Sequence, residues 1–130
     1  MYTNDMVEYW LELSDMDFRA AKVLFAGEMY LHCAFFCHQS LEKALKAHIV
    51  QAGDIPPKIH VLKTLIERTI GWDSLSEEHH QTIDDVDDFD IQGRYPDEVP
   101  IPRYGHDFCG QLLGGMEVLL CFVRESLERD

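Results

Sequence analysis

One stretch, residues 31–52, constrains the fold more than any other part of the chain. Its sequence, LHCAFFCHQSLEKALKAHIVQA, has apolar or small residues around most of a helical circumference. An ordinary surface helix is apolar on one face only, so a helix of this kind is buried by neighbours on more than one side. The stretch therefore predicts a central helix that the rest of an α-helical domain encloses.

Three polar residues lie on or beside the most apolar stripe of this helix. His38, Glu42 and Lys46 follow one another at spacings of four, so they share one side of the helix, and Glu42 can pair with Lys46. Ionisable groups in such a position cost free energy unless they are paired or functional. Two interpretations stay open: a structural polar cluster that holds the bundle in register, and part of a ligand site.

The opposite side of the same helix consists of small residues, which are Cys33, Cys37, Ser40, Ala44 and Ala47. Small side chains allow another helix to approach closely. Gly114 and Gly115 in the last helix cost roughly 1 kcal/mol each relative to alanine, which also favours close packing of two backbones there. Together these features predict close helix contacts and a homodimer.

The remaining periodicity predicts helices and no strands. An opening helix starts after Thr3 or Asn4 and ends near Gly27, a short helix follows at 60–70, a surface helix at 76–90 and a final helix from Asp107. The predicted fold class is an all-α, up-and-down bundle of four main helices plus a short helix. Residues 1–130 form a single domain of this kind.

Asp17 and His60 could complete this polar arrangement, and Asp15 and Arg19 form a separate candidate pair. Asp17, on the flank of the opening helix, is either a solvated acid or a partner for a cation on the central helix. Asp15 and Arg19 have the i, i+4 spacing of an ion pair. His60 follows the stiff Pro56-Pro57 connector and is predicted to open the short helix as a hydrogen-bonding group.

The net charge of −13 restricts the possible partners. A strongly acidic surface repels phosphate backbones, so no extended nucleic-acid surface is expected. Residues 32–68 nevertheless carry five Lys or Arg against three acids, which suits one small anion. Residues 73–90 carry eight acids and no Lys or Arg, which indicates a solvated face or a docking surface for a basic partner.

Residues 91–106, IQGRYPDEVPIPRYGH, form the one long segment without helical periodicity. Long segments of this kind inside compact domains are often functional. Arg94 suits phosphate contact and Tyr95 suits stacking on a base. The alternative is a structural loop that the tyrosine anchors.

The chain begins with a polar, acidic segment and has no apolar run of transmembrane length, so neither a signal peptide nor a membrane span is predicted. The four cysteines are expected to be free thiols of a cytoplasmic protein. Cys33 and Cys37 lack a second matched pair, so we predict core cysteines and no metal site. No cofactor is predicted.

With these helices in order, the sequence resembles the HEPN domain family over nearly its whole length. The resemblance rests on Asp17-to-Leu24 in the first helix, the HQSLEKALKA run at 38–47, Gly53, Pro57 with His60, and the RYPD segment at 94–97. It implies a helical bundle, usually dimeric, in one of two functional branches. One branch comprises nucleotide-binding or partner proteins, often paired with a minimal nucleotidyltransferase, and for this chain it implies a system of the toxin–antitoxin type. The other comprises metal-independent ribonucleases.

The ribonuclease branch depends on an Arg-x4–6-His motif, and neither Arg94 nor Arg103 is followed by histidine at that distance. The absent motif argues against catalysis, and no catalytic residue is predicted. The resulting hypothesis is a module that binds a nucleotide of the ATP or GTP class, partners a nucleotidyltransferase, or does both. The predicted nucleotide-binding residues are Arg94, Tyr95, Lys43, Lys46 and His60, beside a structural cluster of Asp17, His38 and Glu42. A divergent ribonuclease using Arg94 and His106, and an interaction protein without a ligand, are the alternatives.

Overall fold

The computed structural model describes residues 4–87 and 104–129, and within these ranges all regular structure is helical. Five α-helices follow in order: α1 (Asn4–Ala26), α2 (Tyr30–Gln51), α3 (Leu62–Glu67), α4 (Glu77–Asp87) and α5 (His106–Arg129). A single 3-10 turn, Trp72–Ser74, lies between α3 and α4. The predicted all-α bundle of four main helices and one short helix is confirmed.

Helix α2 is the centre of the bundle. Fourteen of its 22 residues are buried, and α1, α3, α4 and α5 all pack against it. One chain therefore encloses α2 on its own, so the two-sided burial of this helix no longer argues for a dimer. A homodimer remains a prediction that must rest on another surface.

The small-residue side of α2 lies against α1, as the sequence predicts for a close helix approach. Ser14 Oγ donates to the Ser40 carbonyl at 2.8 Å, and Ser40 Oγ donates to the Ser14 carbonyl at 2.9 Å. Both serines are almost fully buried. Each buried hydroxyl therefore has a hydrogen-bond acceptor on the backbone of the facing helix. The two bonds hold the helices at one spacing and in one register.

The turn between α1 and α2 departs from the sequence prediction. The sequence places the end of α1 at Gly27, but the residue in the left-handed conformation is Glu28, with φ of 62°. The amides of Glu28 and Met29 donate to the Phe25 and Leu24 carbonyls at 3.0 and 2.8 Å. These bonds satisfy the last carbonyls of α1 in a Schellman-type arrangement, in which Glu28 takes the position that glycine usually occupies. At the end of α2, Gly53 has φ of 92°, as expected for a glycine cap.

Helix α5 packs against both α2 and α4. A Cβ on Gly115 would overlap Thr82 Oγ1 of α4 and would lie 3.2 Å from Thr82 Cγ2, whereas a Cβ on Gly114 would meet no atom within 4 Å. The predicted close approach therefore holds for Gly115 alone, and its partner is α4. On the α2 side, His48 Nε2 lies 2.9 Å from the Val123 carbonyl oxygen of α5.

Three thiols lie in the core and one lies on the surface. Cys33, Cys37 and Cys109 are fully buried and Cys121 is exposed; all four are free. The Cys109 Sγ donates to the Tyr30 carbonyl at 3.4 Å. Burial raises the pKa of the Cys109 thiol to about 12. The hydrogen bond with Cys33 is the largest cause of the raised pKa of the Cys37 thiol, and burial raises this pKa further. The prediction that Cys33 and Cys37 are core cysteines is thus confirmed.

The bounds of the two shorter helices, α3 and α4, differ from those that the sequence predicts. Helix α3 covers six residues rather than the predicted 60–70: residues 60 and 61 precede the helix, and residues 68–70 form a turn after it. Ser76 precedes α4, where Ser76 Oγ accepts from the His79 amide at 3.1 Å and the Ser76 amide donates to His79 Nδ1 at 3.2 Å. This exchange is a capping box in which histidine takes the usual place of Glu or Gln. No helix in the described ranges is long and apolar enough to span a membrane.

Candidate functional site

Glu42 lies in the middle of α2, almost fully buried, and accepts hydrogen bonds from two directions. Lys46, one turn later on the same helix, donates from Nζ to Glu42 Oε2 at 2.9 Å. His60 Nδ1 lies 3.0 Å from Oε2 and 3.1 Å from Oε1 of the same carboxylate. Glu42 is 4% exposed and Lys46 is 7% exposed. The carboxylate is therefore neutralised by a lysine with which it is buried, as burial of a charge requires.

His60 is the most accessible member of this group. Its side chain is 32% exposed. The residue belongs to the connector between α2 and α3, just after Pro56 and Pro57, whose rings restrict the backbone. His60 therefore lies between the buried carboxylate and the solvent.

Two more polar side chains extend the group toward α4. His38 Nδ1 lies 3.8 Å from Glu42 Oε1, and His38 Nε2 lies 4.0 Å from Asp87 Oδ1. Asp87 Oδ1 also accepts from the Leu62 amide at the start of α3, at 3.4 Å. We refer to His38, Glu42, Lys46, His60 and Asp87 as the Glu42 cluster. It joins α2, α3, α4 and the connector in one polar network.

The Glu42 cluster combines two carboxylates, one ammonium and two imidazoles. With both imidazoles neutral its formal charge is −1, so it is not an open cationic site. Such a group offers both donors and acceptors to a polar ligand. Within the described ranges, no set of three His, Cys, Asp or Glu residues is arranged to hold a metal ion.

Asp87 is the member of the cluster that the sequence analysis missed, because it belongs to an acidic run that reads as a solvated face. The available signal was its position four residues after Ile83 and next to Val86, both fully buried. That spacing places residue 87 beside the inner stripe of the helix.

Asp17 and Lys43 lie apart from the cluster and bind each other. Lys43 Nζ donates to Asp17 Oδ2 at 2.5 Å, which links α2 to α1. This pairing corrects two assignments: Asp17 does not join His38 and Glu42, and Lys43 does not converge with Lys46 and His60. Of the two interpretations of Asp17, the structure supports the partner of a cation on α2.

Arg94 and Tyr95 lie outside the described residues, as do Asp88, Asp90 and Arg103. Within the described part of the acidic run, Asp84 pairs with Lys63 at 3.0 Å and is half exposed. Asp85 accepts from Gln81 at 3.0 Å. The acidic face of α4 is therefore solvent-accessible but partly engaged in local contacts.

A second charged region, a groove of about 630 Å³ between α1 and α5, does not follow from the sequence analysis. Arg124 of α5 donates to the Asp15 carboxylate and to the Leu11 carbonyl of α1. Lys22 pairs with Glu117 at 3.3 Å. Asp15 therefore binds Arg124 rather than Arg19, which corrects the predicted i, i+4 pair. Because acids neutralise Lys22 and Arg124, the groove is an interhelical contact of mixed charge.

A five-helix bundle whose buried central helix carries a polar cluster defines a class of small helical domains. The comparisons with known proteins identify this class. The family model for the HEPN domain matches residues 7–126. The chain belongs to the HEPN domain family.

Two solved structures share the fold. TT1696 from Thermus thermophilus is 24% identical, covers 92% of this chain and 96% of its own, and has a TM-score of 0.78. ST0689, an archaeal HEPN homologue, is 20% identical, covers 93% of this chain and 97% of its own, and has a TM-score of 0.68. At these identities the likeness concerns the fold. A comparison with curated protein sequences gave no match.

Proposed function

We propose that this HEPN protein is a nucleotide-binding module whose site is the Glu42 cluster. One observation carries the proposal: Lys46 and His60, far apart in sequence, converge on one buried carboxylate at 2.9 and 3.0 Å. Clusters of titratable groups that remain partly accessible are frequent at functional sites. The His60 side chain is 32% exposed, so a ligand can reach the cluster at this imidazole.

Each member of the cluster has a role in this proposal. The His60 imidazole meets the ligand first, and displacement of His60 frees Glu42 to accept from a ribose hydroxyl or an exocyclic amine. Once the ligand engages Glu42, the Lys46 ammonium that was paired with this carboxylate can donate to a phosphate oxygen. Arg94 and Tyr95 follow Asp87 by seven and eight positions in the sequence, and we assign them to phosphate contact and base stacking. Lys43 has no part in the site because Asp17 holds it.

Calorimetric titration with ATP and with GTP tests the proposal. Lys46→Met and His60→Gln should each weaken binding at least about tenfold, the effect of losing a charge-assisted hydrogen bond. Lys43→Met is the matched control, since it removes a lysine from the same helix that lies outside the cluster. Absence of heat with both nucleotides, or an equal loss in all three variants, would show that the cluster is not a nucleotide site.

The exposed acidic face of α4 favours a second function, partnership with a basic protein such as a minimal nucleotidyltransferase in a toxin–antitoxin type system. Glu77, Glu78 and Asp84 are exposed on α4, and the chain has a net charge of −13. Such a contact weakens with salt. Co-purification with a nucleotidyltransferase encoded beside this protein, lost on reversing these charges, is the expected result. Retention of the complex by the charge-reversed variant would exclude this face.

Ribonuclease activity is the other alternative, and the missing Arg-x4–6-His motif argues against it. His106, which follows Arg94 and Arg103 in the sequence, starts α5. The centroids of the His106 and Phe25 rings are 4.9 Å apart, and His106 Nδ1 lies 3.3 Å from Asp107 Oδ1. Incubation of total RNA with the protein and with a His106→Ala variant should show no difference. Cleavage by the wild type that the variant loses would restore the enzymatic hypothesis. A cytoplasmic location also stays a prediction.

A further inference from the structure

A surface cleft between α3 and the 3-10 turn shares no residue with the Glu42 cluster. It has a volume of about 470 Å³ and is lined by Lys63, Glu67, Trp72 and Asp73. Lys63, Glu67 and Asp73 are exposed, and Trp72 is half-buried. The cleft therefore combines an aromatic surface with two carboxylates and one ammonium, in a place that a binding partner can reach.

The Trp72 ring has a fixed position in this cleft. His80 of α4 stacks on the ring, with centroids 3.9 Å apart and planes 2° from parallel. His80 Nε2 also donates to the Trp72 carbonyl at 2.9 Å, and the Trp72 amide donates to Glu67 Oε1 at 2.9 Å. An aromatic side chain that is held through both its ring and its backbone loses little conformational entropy when a ligand binds to it.

The face of Trp72 that His80 does not cover is directed to the cleft, because His80 stacks on one face and does not line the cleft. Lys63 Nζ lies over the ring, 5.4 Å from a ring centroid, and pairs with Asp84 at 3.0 Å. The protein thus places its own cation over the ring, as expected for an indole face, which attracts cations. The Lys63 side chain is 53% exposed, so a competing cation can displace it at little cost while Asp84 keeps the ammonium.

The carboxylates of the cleft are available to such a cation. Within residues 4–87 and 104–129, no hydrogen bond or ion pair engages the Asp73 side chain, and Glu67 uses only Oε1. Glu67, Asp73 and Asp84 together with Lys63 give the surroundings of the ring a formal charge of −2. This charge attracts a cation and repels a phosphate, so the cleft is a site of different chemistry from the one proposed for nucleotides.

A guanidinium fits these groups better than an ammonium. It is planar, it stacks on aromatic faces, and its N–H groups bind carboxylates two at a time. A guanidinium that lies flat on Trp72 has its edge free to donate to Glu67 or Asp73. Small-molecule sites enclose most of the surface of their ligand, whereas only four side chains line this cleft and three of them are exposed. The guanidinium is therefore better supplied by an arginine of a larger partner.

We propose that this cleft binds one arginine side chain of a basic partner protein, stacked on Trp72 and paired with Glu67 and Asp73. The inference rests on the partnership proposed above for the acidic face of α4, and it extends that face to α3 and the 3-10 turn. The two regions are continuous, since Asp84 of α4 holds Lys63 at the cleft. Tryptophan and arginine are also the residues that most often dominate the binding energy of protein interfaces.

Nuclear magnetic resonance of the two indole N–H groups tests the cleft directly. The chain has two tryptophans, Trp10 and Trp72, and a Trp72→Phe variant assigns their signals. The capped peptide Gly-Arg-Gly should shift the Trp72 signal saturably and leave the Trp10 signal in place. Gly-Lys-Gly should bind about threefold or more weakly, because an ammonium does not stack. An unmoved Trp72 signal at about 20 mM peptide, above the millimolar range expected for one side chain, or equal binding of both peptides, would overturn the proposal.

Two matched pairs of variants separate the cleft from the net charge of the protein. Asp73→Asn should weaken binding of the arginine peptide about threefold or more, since it removes a charged acceptor. Glu77→Gln removes an exposed acid outside the cleft and should have little effect. Lys63→Ala should tighten binding because it uncovers the ring, whereas Lys22→Ala, the same change of charge on α1, should not. Equal effects within either pair would show that the peptide responds to net charge alone, which would overturn the proposal.

Co-purification with the basic partner distinguishes a failure of this inference from a failure of the partnership. Trp72→Leu should lose the complex, as reversal of the charges on α4 does. A complex that survives Trp72→Leu but not the charge reversal would overturn the arginine cleft and leave the partnership intact. Absence of a partner with the wild-type protein would overturn both.

Discussion

His60 Nδ1 lies 3.0 Å from Glu42 Oε2, so the connector after α2 is tied to the middle of that helix. The contact joins residues that are 18 positions apart. It encloses the carboxylate between an imidazole from the connector and the Lys46 ammonium from the next turn. The buried Glu42 carboxylate thus lies where α2 meets the connector. Moving the connector away from α2 would remove a hydrogen-bond partner from a buried charge, which costs free energy.

Glu42→Gln should destabilise the protein strongly. Glutamine preserves the shape of the side chain but leaves the Lys46 ammonium, 7% exposed, without a counter-charge. Breaking a buried ion pair on one side costs about 3–5 kcal/mol. Chemical denaturation should show a loss of this order in the free energy of unfolding.

The double variant Glu42→Gln/Lys46→Met supplies the control for this prediction. It removes the stranded charge and should be more stable than the Glu42 single variant, since an apolar replacement of a buried pair is often close to neutral. A double variant as unstable as the sum of the two single variants would show that the residues do not act as a pair.

His79 should make stability depend on pH. Burial lowers its pKa below the ordinary value of 6.5, so the unfolded chain binds a proton that the folded protein disfavours. Its contribution is fully present above about pH 6.5 and is lost as the pH falls through the range below that value. The free energy of unfolding of the wild type, measured from pH 8 to pH 5, should therefore fall toward acid.

His79→Gln should flatten this dependence while keeping the helix cap. Glutamine at this position completes the standard capping box with Ser76. The comparison is a difference between two pH profiles, so the other histidines cancel. Parallel profiles for the two proteins would mean that His79 does not titrate differently on folding.

Gly115→Ala and Gly114→Ala, although adjacent in α5, should have opposite effects. A methyl group on residue 115 overlaps Thr82 Oγ1 and lies 3.3 Å from Thr82 Cβ, which rotation of the threonine side chain does not move. Overpacking of this kind costs about 1–3 kcal/mol. A methyl group on residue 114 meets nothing within 4 Å, so there the helix gains about 0.5–1 kcal/mol from alanine. Thermal melts of the two variants should shift in opposite directions, and Thr82→Ala should relieve the loss at residue 115.

Glu28→Gly should stabilise the protein. Glu28 has φ of 62° in the turn that ends α1, and a side chain in the left-handed region costs about 1 kcal/mol or more. Glycine removes that cost, and part of the gain is offset by its greater freedom in the unfolded chain. Glu28→Ala is the control, because alanine keeps the strain. Equal melting temperatures for the glycine and alanine variants would show that the turn is not strained.

The helical framework follows from the sequence because it depends on local periodicity and on residues that end helices. Residues 31–52 predict α2 to within one residue, and Gly53 ends it as expected. The pair of Glu42 and Lys46 is also local, so the i, i+4 spacing alone predicts the contact between them. The sequence also predicts His60, after the stiff Pro56-Pro57 connector, as a polar partner for the cluster.

The long-range pairings do not follow from the sequence, because they depend on how the helices are rotated. Asp15 binds Arg124, 109 positions away, although Arg19 stands at the ideal local spacing. Asp17 binds Lys43 rather than the cluster because the rotation of α1 about its own axis presents residue 17 to that part of α2. Asp87 is one acid among many in its run, and only its position beside buried Ile83 and Val86 distinguishes it.

Because one thiol is exposed and three are buried, the reactivity of the cysteines can report how often the core of the native protein opens. A thiol reagent added to the folded protein should label Cys121 at once, which provides a single attachment point for a spin or fluorescent label without any substitution. Cys33, Cys37 and Cys109 are fully buried in the core, so they can react only when the core opens. The rate at which mass spectrometry records the second, third and fourth adducts therefore measures how often the central helix separates from its neighbours.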